Sequence, residues 1–175
     1  LSAIGNIRDT SSSHERGTVI EVMGRHSGDI ALYAGLTGGA ECVLIPEEPI
    51  DINKICRTLI QGKNRGKMHS IIIQAEGVSM SAGELAQTIT ERTGIDTKTV
   101  ILGYTQRGGA PTARDRMLAS RMGYRAVELL LQEGMTSSAV GIKDGEIVSY
   151  DLEQALNMTR NYDASMMDLA EILSI

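Results

Sequence analysis

The sequence has no tryptophan and no phenylalanine, and its five aromatic residues are all tyrosine. A phenylalanine-rich core is therefore excluded, and Ile, Leu, Val, Met and Ala must fill the interior. Cysteine is scarce as well. Cys42 and Cys56 lie 14 residues apart and in no C-x-x-C pattern, and the three His are not at ligand spacings. This excludes a disulfide scaffold and predicts two free thiols, buried or half-buried, in a reducing compartment. No Pro/Ser-rich linker marks a domain boundary. No apolar run approaches membrane-spanning length and no signal peptide is visible, so no membrane partner is expected and the cytoplasm is the expected location. Basic charge is in deficit: 17 Lys and Arg against 22 Asp and Glu give a net charge of −5. That excludes a general nucleic-acid binder.

What is present is a chain of 175 residues, 42% hydrophobic and 22% charged. The balance excludes a disordered tail or a collagen-like fibre and fits one folded domain, or one domain with part of another. Its charge is unevenly spread. Five basic residues and no acid lie between Lys54 and Lys67, and five Arg with one Asp between Arg107 and Arg125. Seven acids and one Arg lie between Asp144 and Glu171. Solvated helix faces account for most such runs; the sharper reading is local anion sites on an acidic protein.

Two kinds of segment alternate. Thr18–Met23, Glu41–Ile45, His69–Ala75, Lys98–Leu102 and Ser138–Ile142 are short, nearly continuous apolar runs, as strands buried on both faces should be. Between them, Ile52, Ile55, Cys56, Leu59 and Ile60 mark one face of a helix, capped by Asp51 and expected to end at Gly62. Ser81 and Glu84 predict a capping box, Leu85 and Ile89 an inward face, and Gly94 a stop. Pro111 is expected at a first helical position, with Leu118, Met122, Ala126, Leu129 and Leu130 following on one face. Met166, Leu169, Ala170 and Leu173 predict a last amphipathic helix. Strand and helix in repetition predict an α/β fold, a mostly parallel sheet flanked by helices, with a hairpin turn at Asp144-Gly145 on one edge.

Ligands in such sheets bind beyond the carboxyl ends of the strands. The first such end carries Gly24-Arg25-His26-Ser27-Gly28, an Arg fork before a helix N-terminus, both suited to phosphate. A plain βα turn with a surface Arg is the alternative. The second carries Glu76, able to accept from sugar hydroxyls, or simply a solvated loop residue. The third carries Gly103-Tyr104-Thr105-Gln106-Arg107-Gly108-Gly109-Ala110-Pro111, a further phosphate grip or a tight turn. Gly62-Lys63-Asn64-Arg65-Gly66-Lys67 is not a P-loop: its glycines are one residue too close and no Ser or Thr follows. Ser11 to Glu15 holds triad residue types without a nucleophile elbow and is rejected as a triad. These loops point to an anionic, hydroxylated small molecule such as a phosphorylated sugar.

Three motifs also resemble one family. Arg8-Asp9-Thr10-Ser11-Ser12-Ser13-His14-Glu15-Arg16, Val22-Met23-Gly24-Arg25-His26-Ser27-Gly28-Asp29 and Gln106-Arg107-Gly108-Gly109-Ala110-Pro111 resemble the bacterial ATP-dependent 6-phosphofructokinases in order and spacing. The resemblance implies the Rossmann-like three-layer phosphofructokinase fold, here incomplete. It implies transfer of the ATP γ-phosphate to fructose 6-phosphate with Mg²⁺, giving fructose 1,6-bisphosphate in glycolysis. By matching motif, Met23, Gly24 and Arg25 line the sugar phosphate, with Arg25 also stabilising charge on the transferring group. Glu76 binds sugar hydroxyls, Tyr104 and Arg107 the 6-phosphate, and Arg16 and Lys98 reach a neighbouring subunit's site. Arg8, Gly39, Glu41, Arg65, Lys67 and His69 match the allosteric site for a nucleotide effector, ADP, with Glu41 able to coordinate the effector's Mg²⁺. A homo-oligomer, tetrameric in the family, is implied.

The sequence departs from the pattern at Lys98, where Arg is usual, and at Tyr104, where His is common. The family's N-terminal part, with its glycine-rich ATP loop, Mg²⁺ carboxylate and Asp base, has no counterpart here. The resemblance implies residues 1–105 as a sugar-phosphate domain, 106–156 as a remnant of the ATP-binding domain and 157–175 as a returning helix. Leu1 then marks a cut, and this chain alone is expected to be inactive. A non-catalytic phosphosugar- or nucleotide-sensing paralogue and a pyrophosphate-dependent phosphofructokinase stay open as alternatives.

Overall fold

The protein, as a computed structural model, is described over residues 1–12, 15–132, 137–159 and 162–174. The chain divides into two compact units: Leu1–Gly108 with Tyr162–Ile175, and Gly109–Asn161.

The first unit is built on β1 (Gly17–Val22), β2 (Cys42–Leu44), β3 (Ser70–Ala75) and β4 (Thr97–Ile101). They form one parallel sheet in the order β2-β3-β1-β4. Alternation along the strands divides the core. Val19 and Ile72 face α3 (Ile52–Asn64) and α4 (Ala82–Thr93) with Leu59, Leu85 and Ile89. Ile20, Val22, Ile71 and Ile73 share a core with residues of α1 (Ser2–Ser12), α2 (Asp29–Gly38) and α7 (Ala164–Leu173). Right-handed crossovers explain the division. The step from β1 to β2 runs one way along the sheet, and the steps to β3 and β4 run back. So α2 takes one face while α3 and α4 take the other.

Local chemistry sets the helix ends. Asp51 accepts from the Lys54 N–H at 2.9 Å and starts α3. Ser81 and Glu84 form the reciprocal capping box of α4, and Gly94 ends it at φ +67°. α3 does not stop at Gly62 as the sequence suggested. Gly62 is buried against the Lys67 stem, so the glycine serves packing, and the left-handed turn falls at Gly66 with φ +85°. β4 is not buried on both faces either. It lies at the sheet edge, paired among the described residues only with β1, and Lys98, Thr99 and Ile101 are exposed. In α7, Ala170 is buried but Leu169 and Leu173 are exposed.

The second unit holds α5 (Ala113–Leu130), the antiparallel pair β5 (Ser138–Lys143) and β6 (Glu146–Asp151), and the short α6 (Leu152–Leu156). The predicted turn is present, with φ +52° at Asp144 and +84° at Gly145, but the hairpin is a two-stranded sheet of its own. Thr112, not Pro111, leads into α5: Thr112 is the N-cap of a capping box with Asp115. Of the face predicted for α5, Leu129 is buried while Leu130 is 84% exposed. Within this unit a single hairpin is too narrow to cover an 18-residue helix.

Leu85 is fully buried between α4 and the sheet. Leu85→Ala is expected to cost about 2–5 kcal/mol, read as a lower urea midpoint for the first unit.

Candidate functional site

Strand register brings three loops together. Val22 of β1 lies opposite Ala75 of β3, and Glu21 opposite Ile101 of β4. The ladder runs on just past the strands: Glu76 N–H donates to Val22 O at 2.9 Å and Leu102 N–H to Glu21 O at 3.0 Å. Met23-Gly24-Arg25, Glu76-Gly77 and the 3₁₀ turn Gly103–Arg107 therefore emerge at one end of the sheet. Side chains and backbone join them. Met23 N–H donates to Gln106 Oε1 at 2.8 Å, Gly24 N–H to Glu76 Oε1 at 3.4 Å, and Gly77 N–H to Gly24 O at 3.1 Å. Two glycines permit this approach. Gly24 has φ +145°, and a Cβ at Gly77 would overlap the Arg25 carbonyl oxygen.

Met23, Gly24, Arg25, Glu76, Tyr104 and Arg107, predicted as one site, thus all sit on these adjoining loops. Arg25 and Arg107 are exposed and make no ion pair among the described residues. Tyr104 is 84% exposed. One expectation is corrected. The α2 N-terminus does not offer a bare anion site, because Gly28 N–H donates to both carboxylate oxygens of Glu47, at 2.9 and 3.1 Å. A carboxylate of the chain itself answers the helix dipole there. The Gly28 amide is therefore already matched, while Arg25 and Arg107 carry exposed guanidinium forks.

Arg16 and Lys98 lie at the other end of the strands. Arg16 Nε is 3.0 Å from Asp96 Oδ2, and Lys98 Nζ is 2.8 Å from Asp96 Oδ1. Seven residues of extended chain, about 23 Å, separate Arg16 from Met23. Arg16 cannot reach the Arg25 loop of its own chain. The Lys98 ammonium, and then Arg16, hold the Asp96 carboxyl below the usual aspartate range.

The third predicted set gathers around the α2–β2 junction and the α3–β3 turn. Arg8 donates to Gly38 O and, at 3.3 Å, to Gly39 O, where φ is +64°. The Glu41 side chain is buried. Its Oε2 accepts from Ile71 N–H at 2.6 Å and its Oε1 from Lys67 Nζ at 3.2 Å. Lys67 Nζ also donates to Ser174 O at 2.7 Å. Arg65 is exposed and His69 half-buried. Glu41 and Arg65 also line a cavity of about 620 Å³ between β2, α3 and α7, with Cys42, Lys54 and Thr58. Both cysteines are free thiols; burial, then the Glu41 charge, pushes that of Cys42 up to about 12.

As folded, the Glu41 charge is matched by an ammonium and a backbone N–H, an arrangement that does not fit a divalent cation unless Lys67 leaves. No group of three or more His, Cys, Asp or Glu that could hold a metal occurs among the described residues. No described helix is long and apolar enough to cross a membrane. Of the rejected Ser11–Glu15 stretch, Ser13 and His14 lie outside the described residues.

Gln106, Glu47 and Asp96 were not found by sequence reasoning. Gln106 stood in a quoted motif beside Arg107, which was its one available signal. Glu47 and Asp96 stand in no motif and carry no signal of their own in the sequence.

Asp96 supports a pH prediction. Its lowered pKa means that the pairing with Lys98 and Arg16 is complete above the ordinary aspartate pKa. It is lost as pH falls through the lowered value. Carboxyl NMR titration is expected to place the Asp96 midpoint below that of a free aspartate. Lys98→Met is expected to raise that midpoint.

Known proteins resemble this chain over nearly its whole length. The family model described as Phosphofructokinase matches residues 1–130. Over 175 residues the chain is 57% identical to a protein named ATP-dependent 6-phosphofructokinase from Alkaliphilus metalliredigens (strain QYMF), covering 100% of this chain and 54% of that one. Over 174 residues it is 55% identical to a protein of the same name from Clostridium botulinum (strain Loch Maree / Type A3), covering 99% and 54%. The chain spans about half the length of the curated relatives it matches. Phosphofructokinase from Saccharomyces cerevisiae superposes with TM-score 0.83 at 31% identity, over 99% of this chain and 25% of that one. A pyrophosphate-dependent phosphofructokinase from Marinobacter aquaeolei superposes with TM-score 0.77 at 23% identity, over 98% and 51%, a likeness of fold alone.

Proposed function

Because the chain belongs to the phosphofructokinase family, we propose that it supplies the sugar-phosphate portion of an ATP-dependent 6-phosphofructokinase. The reaction moves the ATP γ-phosphate to fructose 6-phosphate. One observation carries the reading: two loops bearing exposed Arg side chains and one bearing a carboxylate emerge together at the aligned ends of β1, β3 and β4.

Arg107 grips the 6-phosphate, and the Tyr104 hydroxyl adds one hydrogen bond. Glu76 accepts from sugar hydroxyls, and Met23 and Gly24 line the sugar. Arg25 neutralises charge on the transferring phosphoryl group, the main work of such catalysis. Arg16 and Lys98 serve the site of a neighbouring copy, which requires a homo-oligomer, a tetramer by family resemblance. The span between the two ends of β1 supports that division. Arg8, Gly39, Glu41, Arg65, Lys67 and His69 form a site for a nucleotide effector such as ADP. The three cations match a diphosphate. Residues 106–156 belong to the ATP-binding domain. The residues that hold Mg²⁺ and ATP lie mainly outside this chain, and the reaction takes place in the cytoplasm. The relatives at 55–57% identity carry ATP-dependent names, and that favours ATP over pyrophosphate as donor.

The test is kinetic. In a longer enzyme carrying this chain, Arg107→Ala is expected to raise KM for fructose 6-phosphate about 10–100-fold, the size of one lost charge-assisted contact. An unchanged KM would contradict the assignment. The 175-residue chain alone is expected to show no phosphoryl transfer in a coupled assay, and clear turnover would contradict that.

A further inference from the structure

The segment that carries Tyr104 and Arg107 is weakly held. β4 ends at Ile101, and its last ladder bond is Leu102 N–H to Glu21 O. Beyond it, among the described residues and apart from the Gln106 side chain, Gly103–Arg107 makes local bonds: Thr105 Oγ1 to Leu102 O, and Gly108 N–H to Thr105 O. Glycines with positive φ flank the segment, Gly103 at +50° and Gly109 at +105°. Chain so bounded is free to pivot, and its Arg would sample many positions.

One bond opposes this. Among the described residues, the one hydrogen bond from the turn to a distant part of the chain is Met23 N–H to Gln106 Oε1, across 83 residues. It is partly buried, and its acceptor belongs to the residue just before Arg107, while its donor lies two residues before Arg25. The next amide, Gly24 N–H, is bonded to Glu76. Consecutive backbone donors of the β1 turn thus fasten the β4 loop and the β3 loop in order.

We propose that Gln106 is a positioning residue: its side-chain carbonyl fixes the Arg107 loop to the Arg25 turn, so that the two guanidinium groups meet one ligand at a set separation. This rests on the reading of these loops as the phosphosugar site. Gln106 acts through Arg107. Its removal weakens ground-state grip on the sugar phosphate and leaves the Arg25 turn with its Glu76 and Gly77 bonds. KM should therefore change much more than kcat.

The experiment uses the longer enzyme with Gln106→Ala and with Gln106→Met, which removes the acceptor while keeping the bulk. Both are expected to speed amide hydrogen exchange at Met23 about tenfold or more. Both should raise KM for fructose 6-phosphate about tenfold, with kcat within about threefold of the parent. Gln106→Glu keeps an acceptor oxygen and is expected to restore slow exchange at Met23. Unchanged exchange at Met23 in the Ala and Met variants overturns the clamp, as does faster exchange in the Glu variant. Faster exchange with unchanged KM overturns the positioning role. The exchange result stands whether or not the enzyme turns out to phosphorylate this sugar, so the clamp and the substrate fail separately.

Discussion

The register of β1 between β3 and β4 is the constraint on which the rest depends. Val22 opposite Ala75 and Glu21 opposite Ile101 make three loops emerge level. The same pairing puts Gly17 opposite both Ser70 and Thr97, which brings Arg16 beside Asp96 and Lys98 at the far end. A slip of one residue would turn Val19 and Ile20 to the wrong faces and separate the loops by about 3.3 Å. The Ile71–Ile73 run of β3 is bounded by Ser70 and Gln74, so a slip would put a polar side chain in the place of a fully buried isoleucine. Packing energy in the sheet centre thus fixes the geometry of polar groups at its ends.

Charge is arranged in three ways around this frame. Lys67 and Lys54 are paired within the chain, to Glu41 and Glu171. Arg16 and Lys98 share Asp96, an exposed arrangement that contributes little to stability and holds two cations close together. Arg25 and Arg107 have no ion pair among the described residues. Glu47 occupies the Gly28 amide at the α2 N-terminus, which leaves Arg25 and Arg107 as planar forks that would impose direction as well as charge on the proposed phosphosugar. The overall charge of −5 conceals this pattern completely.

Much of the fold was legible because its signals are local. The Ser81–Glu84 box, the Gly94 stop and the Asp144-Gly145 turn each involve residues within a few positions of one another. The errors came where tertiary packing decides. Gly62 is a packing glycine rather than a stop, β4 lies at an edge, and Leu130 is exposed. The same distinction holds for the site. Arg25, Glu76 and Arg107 could be proposed because a strand end is readable from sequence. Gln106, Glu47 and Asp96 act on Met23, Gly28 and the pair Arg16 and Lys98, partners that only the folded chain supplies, apart from the near neighbour Lys98.

The central claim is that one chain serves two phosphosugar sites, its own through Arg25, Glu76 and Arg107, and a neighbour's through Arg16 and Lys98. Subunit complementation tests it most directly. Two variants of the longer enzyme, Arg16→Ala and Arg107→Ala, assayed at fructose 6-phosphate well below their raised KM so that each alone is nearly silent, are mixed, dissociated and reassembled. If sites are shared, a mixed pair holds one site with both defects and one with neither, and such pairs should recover about half the parent activity per site pair. Hybrids that stay as inactive as either variant alone would contradict the claim, because every site would then carry one defect of its own chain.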